Sequence, residues 1–226
     1  MSIEINSLIE IIEKPYSSEE LLNQLADLQN VSREDEQGRE SISYELAVQF
    51  YDLIYPYTPS GVEPHKTATM KERSVEEFAQ KILAGDCVLY CEVFQVEEEV
   101  ITKVIGGCFI DYWKEGTKVS KGEGVVAEVA SFIMDINYKK DLVNGDLKLG
   151  ADALIKKAVS LVPDDERDII AITLNENGSK AKSTEIFERC GFTILERDYF
   201  PSDHVGKDLS FEDLRYNKSC LKYVPS

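Results

Sequence analysis

The chain has 226 residues, 43% of them hydrophobic and 30% charged, which suits a globular protein, argues against wholesale disorder and fits one domain over 1–226 better than two. Its 25 basic and 42 acidic residues leave a formal charge of −17. That excess disfavours nucleic acid and anionic membrane as partners and suits a cationic one, although a solvated acidic surface kept for solubility is the simpler explanation.

The first cation is Lys14, so no basic start precedes an apolar stretch and no secretory leader is expected. No apolar run is long enough to span a bilayer. The five cysteines (Cys87, Cys91, Cys108, Cys190 and Cys220) are odd in number and lie in or beside apolar segments, as the reduced thiols of a cytoplasmic protein do. Cys87 and Cys91 share a strand face without a second pair, and His65 and His204 are far apart, so no metal is expected.

Residues 18–30 open with a Ser cap and place Leu21, Leu22, Leu25 and Leu28 at helical spacing. The polar run 32–40 reads as a loop, and residues 41–55 as a second helix offering Leu46, Val48, Phe50, Tyr51 and Ile54 for burial. The prolines and glycine of 56–64 make a connection. Ser74, with Glu77 three residues on, caps a short helix that Gly85 ends. The period then changes from helical to extended. Residues 87–96 and 100–113 read as strands joined by a hairpin turn at 97–99, and Gly106 and Gly107 mark a bulge or a close backbone approach.

A loop rich in Lys and Gly, 114–124, leads into a third strand at 125–136. A helix over 147–162 puts Leu147, Ala151, Leu154, Ile155, Ala158 and Val162 on one face. A strand at 168–174, a helix near 180–190, a strand at 192–199, a polar excursion at 201–216 and a strand at 217–224 follow. The first 70 residues are mostly helical, and 74–224 carry the sheet.

Three stretches within 74–199 carry a family resemblance. Met134-Asp135-Ile136-Asn137-Tyr138-Lys139 is similar to V-D-P-x-Y-R. The following LKLGADALIKKAV resembles the loop and helix Q/R-x-x-G-x-G/A-x-x-L, and STEIFERCGF at 183–192 is similar to A-x-x-L/F-Y/F-E-x-x-G-F. These are motifs of the GNAT N-acetyltransferase superfamily, whose element order the chain also resembles. The resemblance implies an α/β (α+β) fold with a mixed, mostly antiparallel central sheet flanked by helices, here with extra N-terminal helices. It implies transfer of an acetyl group from acetyl-CoA, as co-substrate, to a primary amine of a small molecule or peptide, and the acidic balance of the chain suits a cationic acceptor.

The same resemblance assigns the residues. The helix start at Lys148, Leu149, Gly150, Ala151 and Asp152 would hold the pyrophosphate on backbone N–H groups, with Lys139, Lys140 or Lys148 as phosphate partners. Main-chain groups at Met134 and Ile136 would pair with pantetheine where strands 125–136 and 168–174 splay apart. Glu128 would be the general base, a carboxylate in an apolar strand whose proton affinity desolvation raises; facing solvent, it would be an ordinary strand-edge residue. Asp135 and Asp111 are alternatives for that duty or for docking the amine. Phe187 fills the aromatic slot of the cofactor motif but has no hydroxyl, so Tyr199, Tyr138 or Cys190 would have to protonate the leaving thiolate.

The motif also departs from its pattern. With Leu154 as its leucine, residues 141–146 lengthen the loop, Asp146 takes the Gln/Arg slot and Leu149 the first Gly slot. A catalytically weak domain of this fold that serves as a binding or interaction module is therefore the alternative, and an unrelated α/β protein a third. The acceptor is not identified, and a homodimer is left open.

Overall fold

The computed structural model describes residues 7–10, 15–63, 70, 72–96, 99–113, 126–135, 147–163, 168–176, 179–180, 182–199 and 217–225. In chain order the elements are β1 (Ser7–Glu10), β2 (Tyr16–Ser17), α1 (Ser18–Leu28), α2 (Glu36–Ile54), α3 (Val75–Leu83), β3 (Cys87–Val96), β4 (Glu99–Trp113) and β5 (Val126–Met134). They continue with α4 (Leu147–Leu161), β6 (Ile169–Glu176), β7 (Ser179–Lys180), α5 (Lys182–Arg189), β8 (Phe192–Tyr199) and β9 (Asn217–Tyr223).

Helix starts follow the capping chemistry. Ser17 rather than Ser18 caps α1, its hydroxyl accepting from Glu20 N at 3.3 Å while Ser17 N donates to Glu20 Oε2 at 3.0 Å. Ser74 and Glu77 form the same reciprocal pair at α3 (3.2 and 3.0 Å). Gly85, at φ +80, turns the chain from α3 into β3. The expected loop at 32–40 needs correcting, because α2 starts inside it: the Asp35 side chain accepts from Gly38 N at 3.1 Å and caps the helix. The opening turn of α2 is polar and mostly exposed, so no apolar period announced it. Leu46, Phe50 and Ile54 are buried as expected, whereas Val48 and Tyr51 are half-buried and Leu28 is exposed near the end of α1.

The strands form one sheet in the order β1-β3-β4-β5-β6-β9-β8, with β2 added to β3 and β7 to β6. All pairings are antiparallel except β5 with β6, so the fold is a mixed, mostly antiparallel α/β architecture. Strand alternation divides β3 between two cores: Cys87, Leu89 and Cys91 face α1–α3, while Val88 and Tyr90 face α4 and α5. Phe50, Phe78 and Phe109 anchor the first core, with Phe78 stacked on Phe109 at 4.8 Å and Phe50 edge-on to both. Each of these rings, fully buried, contributes about 1.5–3 kcal/mol. The second core centres on Leu154, Ile155 and Ala158 of α4 and Phe187 of α5. All five cysteines are free and buried. Among the described residues no helix is long and apolar enough to cross a membrane.

Candidate active site

The site begins with a break in the pattern of β5. Phe109 pairs with Ala130 and Gly107 with Ile133, so Ser131 and Phe132 together oppose Cys108. This β-bulge places Ser131 at φ 52, in the left-handed region that L-residues rarely enter. Its effect is to shift the alternation by one residue. Ala127 and Val129 pack on the α4 side before the bulge, and Phe132 and Met134 still reach that side after it, while Ile133 joins the other core. Glu128 therefore lies on the face that α1–α3 cover, half-buried.

The same strand leaves its parallel neighbour early. β5 and β6 share two partner pairs, Ala127 with Ile169 and Glu128 with Ile170. Ala127 N donates to Asp168 O at 3.0 Å just before them. β5 runs on to Met134 and β6 to Glu176, yet no further pair joins them among the described residues; β6 from Ile170 to Asn175 pairs with β9 instead. Among the described residues the two strands thus part beyond Glu128 and Ile170, leaving a splay. On its other side the end of β5 stays fastened, with Asp135 N donating to Ile105 O at 2.8 Å.

The first turn of α4 sits over that loosened end. A Cβ on Gly150 would lie 3.9 Å from Met134 Cε and 4.0 Å from Tyr90 Cε2, so the helix start rests on Met134 with ordinary room for a methyl group. Gly106 makes this possible from below: a Cβ there would collide with the Met134 sulfur and come within 2.8 Å of Ile133 O. The expected close approach is found at both glycines, since a Cβ on Gly107 would fall 2.9 Å from Val88 O, and a register irregularity lies beside each. In an α-helix the first N–H groups have no intrahelical acceptor, and the first turn of α4 lies beside Met134, at the end of β5 that no longer pairs with β6.

The other assigned residues fall as follows. Lys148 and Leu149 occupy the first turn of α4, and Ala151 is buried under it. The Asp152 carboxylate is neutralised by Arg189 of α5, which donates through Nη2 at 2.7 Å and Nε at 3.2 Å. Phe187 is a core ring, 2% exposed, with Phe132 at 5.8 Å and Phe192 at 5.0 Å. Tyr199 ends β8 opposite Lys218, itself paired with Leu174, so β9 stands between Tyr199 and the β6 wall of the splay. Ile136, Tyr138, Lys139, Lys140 and residues 141–146 lie outside the described residues. Cys190 is buried in the second core, beside a cavity of about 230 Å³ that it lines with Lys156, Val159, Ser160 and Tyr223.

Glu128 has a charged neighbour that the sequence did not single out in this role. Asp111 of β4 is its direct cross-strand partner. Arg73 Nη2 and Lys81 Nζ both bind the Asp111 carboxylate, the latter at 2.9 Å, and Lys81 also donates to Ile110 O at 2.7 Å. Asp111 is thus already committed to two cations and poorly placed to dock a third. Nearby, burial pushes the Asp86 carboxyl above its usual range; Lys81 opposes that shift and Asp111 adds to it. Arg73 and Lys81 carried no sequence signal, because only tertiary folding brings them to a strand 38 residues beyond Arg73.

No protein-family model matches the chain, and no curated protein matches it significantly.

Proposed function

We propose that the chain is an acyl-CoA-dependent N-acetyltransferase of the GNAT type, transferring acetyl directly from acetyl-CoA to a primary amine of a small molecule or peptide. The observation that carries this reading is the parting of β5 and β6 beyond Glu128 and Ile170. A gap between parallel strands exposes main-chain donors and acceptors, and an amide-bearing chain such as pantetheine can pair with them as an added strand would. The α4 start beside Met134 supports it further, since a helix N-terminus offers N–H groups and a positive dipole end to a pyrophosphate. An Asp152 already neutralised by Arg189 adds no free negative charge there.

In this reading Glu128 removes the ammonium proton, and the freed lone pair attacks the thioester carbonyl carbon to form the C–N bond. Collapse of the tetrahedral intermediate breaks the C–S bond, the nitrogen gives up its second proton to solvent to leave the neutral amide, and the thiolate leaves with a proton. Tyr199 is the protein donor the reading offers; with β9 between it and β6, water at the open end of the splay is the nearer source. Cytoplasmic location belongs to the same proposal. A thermal-shift titration with acetyl-CoA, followed by a CoA-release assay over a panel of cationic amines, tests it.

One observation favours a second reading. Phe187 has no hydroxyl and is locked into an aromatic cluster, so a domain that binds acyl-CoA with little turnover, acting as a binding module, is its natural consequence. Stabilisation by acetyl-CoA without CoA release for any amine would select it.

A further inference from the structure

Helix α2 carries two apolar rows. One, made by Ile42, Leu46, Phe50 and Ile54, is buried in the first core. The other, Tyr44, Val48, Tyr51 and Tyr55, keeps the i, i+4, i+7, i+11 spacing of a single face on roughly the opposite side. Tyr55 holds helical backbone angles, so this second row runs on past Ile54. Tyr44 and Tyr55 are 47% and 39% exposed, Tyr57 in the turn that follows is 40% exposed, and Val48 and Tyr51 are half-buried. Tyr51 and Tyr55 stand ring to ring at 5.5 Å. Single exposed apolar residues are ordinary, but a row about 17 Å long at this spacing is how a helix meets a partner.

The charge around the row has one sign. Glu40, Glu45 and Asp52 of α2, and Glu72 ahead of α3, are exposed and hold no cation among the described residues. Burial, then the neighbouring Tyr55, Glu72 and Asp52, push the Tyr51 phenol above its ordinary range, which sets both carboxylates near that ring. The described cations of this helical layer are committed elsewhere: Arg33 to Asp27, Arg39 to the Asn23 side chain, and Arg73 and Lys81 to Asp111. Tyrosine faces attract ammonium and guanidinium groups, and carboxylates beside them pair with the same cations. A second copy of a chain with a charge of −17 is disfavoured there by like charge.

We propose that the outward face of α2 docks a basic amphipathic helix of another protein. Its apolar side chains would lie on Tyr44, Val48 and Tyr55, and its Lys or Arg side chains would reach Glu45, Asp52 and Glu72. About three helical turns of such a partner cover the row. Docking here needs neither acetyl-CoA nor Glu128.

The test is fluorescence anisotropy with a labelled Leu/Lys peptide of about 18 residues and helical periodicity, beside its Leu/Glu counterpart, on the full chain at physiological ionic strength. Saturable one-to-one binding of the Leu/Lys peptide alone is expected. Tyr44→Ser with Tyr55→Ser leaves the charge unchanged and should weaken binding about tenfold or more, as should Glu45→Gln with Asp52→Asn. Glu99→Gln with Glu185→Gln removes two charges elsewhere on the surface and should change it less than about twofold. Should the tyrosine pair fail to fold by thermal melt, the Glu45 and Asp52 pair and its control carry the test. Absence of binding, binding that neither α2 pair weakens, or an equal loss in the control pair overturns the proposal. So does a concentration-dependent dimer of the chain alone that the tyrosine pair abolishes, since a second copy is then the occupant. A chain that binds the peptide through α2 but shows no response to acetyl-CoA loses the acetyltransferase reading alone.

Discussion

Glu128 and Ile170 form the last pair between β5 and β6 among the described residues. Three residues further along β5, Ser131 takes up a left-handed conformation, and the strand bends out of register with β4 at the same point. The candidate base therefore sits at the closed end of the splay, and the helix start at Gly150 sits at the open end. That spacing lets one ligand place its reactive end near a carboxylate and its anionic end on backbone N–H groups.

Replacing Glu128 with Gln keeps the shape of the side chain and removes its basicity. With an accepted amine, kcat/KM should fall roughly 10²–10⁴-fold near neutral pH. The deficit should narrow as pH approaches the acceptor's own pKa, because the amine then arrives neutral. Full activity across that range would assign proton removal to another group.

Gly150 separates a packing effect from a backbone effect. Alanine fits, its Cβ finding Met134 at 3.9 Å and Tyr90 at 4.0 Å, so Gly150→Ala should bind acetyl-CoA much as the parent does. Gly150→Pro alters the fourth residue of α4, whose N–H ordinarily bonds the carbonyl four residues back, so the ring distorts the helix start that offers the free N–H groups; calorimetry should then show binding lost or severely weakened in a variant that still melts cooperatively. Equal binding by both variants would place the pyrophosphate elsewhere.

Ser131 should report on the bulge. At φ 52 a β-branched side chain is strained, so Ser131→Val should cost about 1–3 kcal/mol in urea unfolding, while Ser131→Gly should hold or gain stability. A neutral valine would mean that β5 relaxes into regular pairing, and acetyl-CoA binding should then be measured on that variant.

The thiols give a check on the packing of both cores. Burial pushes Cys87, Cys91 and Cys108 far above the usual thiol range and Cys190 up to about 11. At pH 8 a thiol reagent should react slowly with the native protein, reaching Cys190 first, and should find all five cysteines at once in denaturant. Rapid native labelling of Cys91 would mean that the first core opens readily.

Much of the fold was legible because its signals are local. The Ser74–Glu77 box, the alternation of residues 87–113 and the apolar face from Ala151 to Val162 each fix an element within a few residues of themselves. The start of α2 escaped because its exposed first turn has no apolar period, and only the Asp35 cap marks it. The bulge escaped because a serine fills a position where glycine would have drawn attention. Glu128 was legible as a carboxylate in an apolar strand, but its charged setting was not: Asp111, Arg73 and Lys81 meet only after β4 pairs with β5 and α3 packs beside them.

The most direct test is calorimetric titration of the full chain with acetyl-CoA, run beside desulfo-CoA and free pantetheine. We expect one saturable site per chain, retained by desulfo-CoA, weakened for pantetheine because it lacks the pyrophosphate, and lost in Gly150→Pro. Absence of binding to acetyl-CoA at millimolar concentration, with the protein folded by thermal melt, would remove the splay between β5 and β6 as a cofactor slot and the acetyltransferase reading with it.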